Sequence, residues 1–260
     1  MRILLCPDSF KGCLSSEQVC AALAAGVHDA QPDAEVLQAP LSDGGEGFAV
    51  SAAAVTHGTL HACTAQDAYF HKRQAHFAVS PDGTTAYIET AQAAGLQGID
   101  KNCLRTKNAT TYGVGELIAA AADAGCTQIV VGLGGSATTD GGMGALSALG
   151  VSFLDAGGNR LAPIGANMAR VCAIQTLPLF ETCRVLRFTY ACDVQNPFYG
   201  ESGAAFVFAP QKGAAPDEIH MLDAGLRQLA GVYLTAFGRD IRKKPAMGAA
   251  GGLCGGLYAA

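Results

Sequence analysis

The chain has 260 residues, half of them apolar and 15% charged, with a net charge of −5 at neutral pH. That length buries a large core without help from disulfides or a structural metal, and the composition excludes a disordered chain. The acidic balance excludes a general nucleic-acid or membrane surface, so an anionic ligand must be held by local lysines, loop amides or a metal. The ten cysteines are irregularly spaced and form no C-x-x-C pair, which predicts reduced, mostly buried thiols and a cytoplasmic protein. Arg2 leads straight into a strand-like run, so no signal peptide is expected. No apolar run approaches membrane-spanning length.

In chain order, residues 2–7 read as a buried strand followed by a loop with Asp8, Ser9 and Lys11. A helix begins near Ser15, where Ser15 and Gln18 have capping-box spacing and Val19, Ala22, Leu23 and Gly26 share a face. Residues 35–41 form a second strand, and its loop, Ser42-Asp43-Gly44-Gly45-Glu46-Gly47, sets two carboxylates around two glycines before another helical run. Asp43 and Glu46 are therefore candidates to face one Mg²⁺ or one substrate hydroxyl. Two successive β–loop–α units predict a parallel sheet.

The period then changes. Residues 74–80 and 85–89 alternate around Pro81-Asp82-Gly83-Thr84, the pattern of a hairpin, and a new domain is expected from about residue 60. His57, His61, His71 and His76 lack metal-ligand spacing and read as surface residues. Glu89, closing the second hairpin strand, is a further site candidate. Residues 111–125 have the clearest helical pattern, with Val114, Leu117, Ile118 and Ala121 as its stripe and Thr110 or Thr111 as its cap. Gly113 and Gly115 in its first turn predict a close neighbour.

Residues 129–131 are an apolar strand running into a loop in which six of the residues 132–144 are glycine. Strand, glycine loop and helix start present backbone amides to an anion, with Ser136 and Asp140 in the same loop. Gly132, Gly134 and Ala137 also match a relaxed dinucleotide fingerprint, with Asp155 ending the next strand where a ribose-binding acid belongs. An NAD(P)-binding oxidoreductase is thus one alternative, and a non-catalytic ligand-binding fragment another. Residues 187–192 form another strand and deliver Asp193 and Asn196. Lys212 follows in Pro210-Gln211-Lys212-Gly213, and Pro216 opens a helix with Ile219, Leu222, Leu226, Leu229 and Tyr233 on one face. Residues 247–257 are apolar and glycine-rich with little polar surface to offer, so the chain is expected to be truncated there.

Seven runs carry a resemblance. They are Pro7-Asp8-Ser9-Phe10-Lys11-Gly12, Ser42-Asp43-Gly44-Gly45-Glu46-Gly47, Thr110-Thr111-Tyr112-Gly113-Val114-Gly115-Glu116, and Gly132-Leu133-Gly134-Gly135-Ser136-Ala137-Thr138-Thr139-Asp140. Cys192-Asp193-Val194-Gln195-Asn196-Pro197, Ala209-Pro210-Gln211-Lys212-Gly213 and Gly248-Ala249-Ala250-Gly251-Gly252-Leu253 complete them. In this order they resemble the bacterial type I glycerate kinases over nearly the whole chain.

The resemblance implies a two-domain α/β fold: a Rossmann-like parallel-sheet domain, begun by residues 1–60, with a second α/β domain inserted at 61–260. It implies ATP-dependent phosphorylation of D-glycerate to 2-phosphoglycerate or 3-phosphoglycerate, with ATP and Mg²⁺ as cofactors, in a monomer or homodimer. Lys11, Asp43 and Asp193 are expected to be catalytic, with Asp43 and Asp193 on the metal. Asp8, Ser9, Glu46, Gly134, Gly135, Ser136, Asp140, Asn196 and Lys212 are expected to bind substrate or phosphate. Family members continue beyond the Gly248-Ala249-Ala250-Gly251-Gly252-Leu253 run, so weak or absent kinase activity is expected of these 260 residues.

Overall fold

A computed structural model of the chain describes residues 1–10, 13–97 and 99–260, with Lys101 by its backbone alone. The first unit is β1 (Arg2–Leu5), α1 (Ser16–Ala30) and β2 (Glu35–Gln38), with β1 and β2 paired in parallel. The capping box forms as its spacing predicts: Gln18 N–H donates to Ser15 Oγ, and Ser15 N–H to Gln18 Oε1. The buried face of α1 differs from the expected one. It is Ser16, Val19, Cys20 and Ala24, while Leu23 remains 46% exposed. The helix turns its small residues inward because Ser16 meets Ser51 of α2 (Phe48–Thr56), oxygen to oxygen at 3.2 Å.

Next come β3 (Thr59–Gln66), β4 (Lys72–Val79) and β5 (Thr85–Glu89), then α3 (Thr90–Ala94) and α4 (Tyr112–Asp123). β6 (Gln128–Gly132), α5 (Met143–Ala148), β7 (Val151–Leu154), β8 (Ala173–Thr176), α6 (Pro178–Cys183) and β9 (Arg187–Ala191) follow. The main sheet has the order β3-β4-β5-β6-β9; β3, β4 and β5 are antiparallel neighbours, while β5, β6 and β9 run parallel. The predicted hairpin is β4–β5. β3 was not anticipated, because an edge strand with one wet face carries little alternation. One histidine sits deeper than expected: His76 is half-buried, its Nε2 without a partner among the described residues and its pKa lowered by burial. His61 is exposed as expected, stacking on Phe77 at 5.5 Å.

The stripe of α4 is buried as its period predicts. A Cβ on Gly113 would lie 1.9 Å from Gln66 O, and one on Gly115 2.3 Å from Ala145 O, so both glycines serve close packing. After α7 (Ala204–Phe208), α8 (Pro216–Phe237) lays Leu222, Leu226, Leu229 and Tyr233 in the core, and Tyr233 Oη donates to Gly141 O at 3.0 Å. α9 (Leu253–Ala259) is almost wholly buried, which explains the apolar composition of residues 247–257. All ten cysteines are free, but four of them are exposed, so the thiols are less buried than expected. Among the described residues no helix is long and apolar enough to cross a membrane.

The dinucleotide reading is overturned here. β7 is no neighbour of β6; it pairs antiparallel with β8 in a separate two-stranded sheet. Asp155 is used in its own turn, accepting N–H groups from Gly157 and Asn159.

Candidate active site

The three parallel strands end in one row: Glu89 lies opposite Gly132, and Gly132 opposite Ala191. Loops at the carboxyl ends of parallel strands are where open α/β sheets gather ligand-binding groups. Residues 42–47 fold onto this row from the first unit. Gly134 N–H donates to Gly44 O at 2.9 Å. A Cβ on Gly134 would lie 2.5 Å from Gly45 Cα, and one on Gly44 2.4 Å from Ala191 O. These glycines let two loops touch backbone to backbone, a reason that local sequence does not reveal.

Asp43, Gly135, Ser136, Asp193 and Lys212 line one cavity of about 210 Å³, which Phe208 and Ala250 help to close. Asp43 Oδ1 accepts the Gly45 N–H at 2.8 Å, which sets the carboxylate at the loop's turn. Asp193 is exposed at the other side of the cavity. Lys212 ends a short helical turn (Pro210–Lys212) and is 2% exposed. Its Nζ donates to Ser136 Oγ at 2.9 Å and to Thr138 O at 2.7 Å. Burial lowers its pKa to about 7, although Asp140 acts in the opposite sense.

Asp140 does not line the cavity. It is fully buried and accepts four hydrogen bonds, from Thr111 N–H at 2.7 Å, Thr111 Oγ1 at 2.8 Å, Gly142 N–H at 3.0 Å and Gly144 N–H at 3.1 Å. Burial raises its pKa and these bonds lower it, burial being the larger influence. Thr111, expected as a side-chain cap of α4, gives its hydroxyl to Asp140 and takes Ala145 N–H instead.

The other expected residues are dispersed. Lys11 lies outside the described residues. Asp8 accepts Ser9 N–H, and both sit in surface depressions beside α1. Glu46 accepts the Gln97 side chain and faces a separate cavity with Ser9, so Asp43 and Glu46 do not converge. Asn196 ties its own region, donating to Ser202 O at 2.7 Å and accepting Gly248 N–H at 2.9 Å. Gly134 is the exception, lining the same cavity as Ser136 and Lys212 with its amide already donated to Gly44 O. Sequence reading gave no role to Cys192, Phe208, Gln211 and Ala250, which also line the cavity. Ala250 carries the one available signal: it lies in the glycine-rich 248–252 run and adopts a left-handed φ of 52°. A larger cavity of about 330 Å³ flanks β9, with Arg184, Arg187 and Arg239 on its wall but no Asp or Glu side chain. It lacks the acid–base pairing that the smaller one has.

A glycine loop with no lysine of its own, served by one 76 positions further on, is not a Walker A loop. Its class is an α/β phosphotransferase of another lineage, built on strand-end loops. The description "Glycerate kinase family" matches residues 3–260, and the chain belongs to that family. It is 39% identical over 257 residues to the glycerate kinase of Haemophilus influenzae, spanning 99% of this chain and 68% of that one. It is 38% identical to the glycerate 2-kinase of Escherichia coli, spanning 100% of this chain and 68% of that one. A crystal structure from Salmonella typhimurium LT2, assigned as glycerate kinase 2, superposes with a TM-score of 0.89 at 38% identity. That comparison covers 100% of this chain and 69% of the other. This chain thus spans about two thirds of each of these relatives.

Proposed function

We propose that this cleft transfers the γ-phosphoryl group of ATP to the 2-hydroxyl of D-glycerate, releasing ADP and 2-phosphoglycerate. The family to which the chain belongs is one of kinases, and phosphoryl transfer asks chiefly for positioned phosphates and balanced charge. The observation that carries the reading is the buried Lys212 amine, held against Ser136 inside a cavity that Asp43 and Asp193 share.

In this reading Ser136 and the amides of Gly135 and Ser136 hold phosphate oxygens. Lys212 gains a proton as the phosphates arrive and offsets their charge. One of the two aspartates aligns the accepting hydroxyl and takes its proton as the oxygen–phosphorus bond forms and the bond to ADP breaks. Two carboxylates facing one small cavity suit Mg²⁺, which usually binds through one or two carboxylates together with substrate phosphates. Among the described residues there is no cluster of three or more His, Cys, Asp or Glu to hold a metal alone. Mg²⁺ held by Asp43 and Asp193 would neutralise phosphate charge. Lys11 keeps its proposed role of balancing phosphate or carboxylate charge from the first loop. Residues 1–60 belong, in the same proposal, to a Rossmann-like domain, and 61–260 to the α/β domain inserted in it.

An ADP-release assay with D-glycerate and Mg-ATP tests the activity, with phosphorus NMR of the product separating 2- from 3-phosphoglycerate. Glycerate-dependent turnover of roughly 1–100 per second supports the reading. Stabilisation by Mg-ATP without turnover favours a ligand-binding chain instead.

A further inference from the structure

Glu89 is absorbed by none of the roles above, yet it is 1% exposed and stands beside Gly132 in the row of strand ends. Helix α2 begins at Gly47, which has no side chain with which to cap it. Glu89 supplies that acceptor from another strand. Its Oε2 takes the Ala49 N–H at 3.5 Å, and the Gly47 N–H and the Gln92 side chain also bond to it. The same contact seats Phe48 against Gly132, where a Cβ would lie 2.8 Å from the ring. Asp43 sits at the other end of this short loop.

We propose that Glu89 is a positioning residue: it fastens the start of α2, and with it the Asp43 loop, to the parallel sheet. The inference rests on the kinase reading of the Asp43 cavity. α2 and the residues just before it present the Gly47 and Ala49 amides together with Glu46, whose charge opposes ionisation. α3 presents neutral Gln92, and β6 presents Gly132. Burial outweighs the helix amides and brings the carboxyl to about 7. A carboxyl that holds its proton more tightly when enclosed favours the enclosed state at low pH and releases it as pH rises. Between pH 6 and pH 8 the enclosed–open equilibrium should move about tenfold towards open.

The test compares wild type, Glu89→Gln and Glu89→Ala by amide hydrogen exchange on the ligand-free chain and by steady-state kinetics. Expected for wild type is a loss of protection at Phe48 and Ala49 as pH rises through 7, beyond the intrinsic exchange rate. A rise in KM for glycerate of several-fold up to about tenfold, with kcat little changed, should accompany it. Glu89→Gln, a neutral isostere, should keep protection and low KM at pH 8, leaving only the dependence contributed by Lys212. Glu89→Ala should lose protection at every pH. Protection at Phe48 and Ala49 in Glu89→Ala equal to that of wild type, with KM unchanged, would overturn the proposal. The exchange measurement needs no turnover, so a chain without kinase activity would defeat the functional reading and still decide the role of Glu89.

Discussion

Lys212 Nζ lies 2.9 Å from Ser136 Oγ, joining a helical turn to a glycine loop across 76 positions of chain. Under the proposed function the pair is how an acidic protein would bind an anionic ligand: the loop gives amides and a hydroxyl, and the turn gives one enclosed amine. Enclosure lowers the pKa of that amine to about 7.

Replacing Lys212 with Met should lower kcat at least 100-fold in the ADP-release assay. Its effect on stability carries a definite sign. The folded pKa, about 7, is below the ordinary lysine value of 10.5, so the folded chain holds fewer protons than the unfolded one across that window. Wild-type stability therefore rises with pH from about 7 to 10.5, and the burden of the buried charge is complete below pH 7. The difference between variant and wild type should thus move in favour of Lys212→Met as pH falls, by about 2–5 kcal/mol. Chemical denaturation at several pH values measures it. Calorimetry of Mg-ATP binding at pH 8, in buffers of different ionisation heat, should also show proton uptake in wild type and its loss in the variant.

Asp140→Asn should damage folding more than chemistry. An amide offers one acceptor oxygen where four bonds now converge, and places an N–H₂ against backbone N–H groups. The expected loss is about 2–4 kcal/mol, read from urea unfolding. KM of the remaining folded enzyme should stay within a few-fold of wild type; a large KM change at unchanged stability would place Asp140 on the ligand instead.

Gly134→Ala forces a methyl to within 2.5 Å of Gly45 Cα, a backbone atom that cannot swing aside. The 42–47 loop must lift, so kcat/KM should fall at least tenfold. The fall should exceed that of Gly231→Ala, which adds a methyl in open space on the exposed side of α8. Gly231→Ala should raise stability by about 0.5–1 kcal/mol through lower unfolded-chain entropy. Thermal unfolding and steady-state kinetics on the two variants make the comparison.

Asp193→Asn and Asp43→Asn should each reduce kcat by two to three orders of magnitude, as loss of a general base or a metal ligand does. A residue that holds Mg²⁺ is distinguished by its metal titration: its Asn variant should require several-fold more Mg²⁺ for half-maximal rate. A variant that loses kcat with an unchanged Mg²⁺ requirement identifies the residue that aligns the glycerate hydroxyl.

Much of the secondary structure was legible because its causes are local. The Ser15–Gln18 box, the α4 stripe and the β4–β5 turn follow from spacing within one segment. Gly113 and Gly115 announced a close neighbour, but its identity, Gln66 and Ala145, is set by distant chain. The family was legible too, since its motifs lie in order along the chain. The exposed strand β3 was not, nor was the inward face of α1, because each depends on which surface a distant element covers. The candidate site divides in the same way. Gly135, Ser136, Asp43, Asp193 and Lys212 were named from sequence and meet in one cavity. Glu46 and Asp140 stood in equally promising loops, yet one faces another cavity and the other is enclosed by backbone amides. The sequence by itself determined which residue types stand in each loop, because local propensity and motif order are properties of the chain. Only the tertiary structure decided which of them share a cavity and which hold the loops in place, because burial and hydrogen-bond partners are set by segments far apart in sequence.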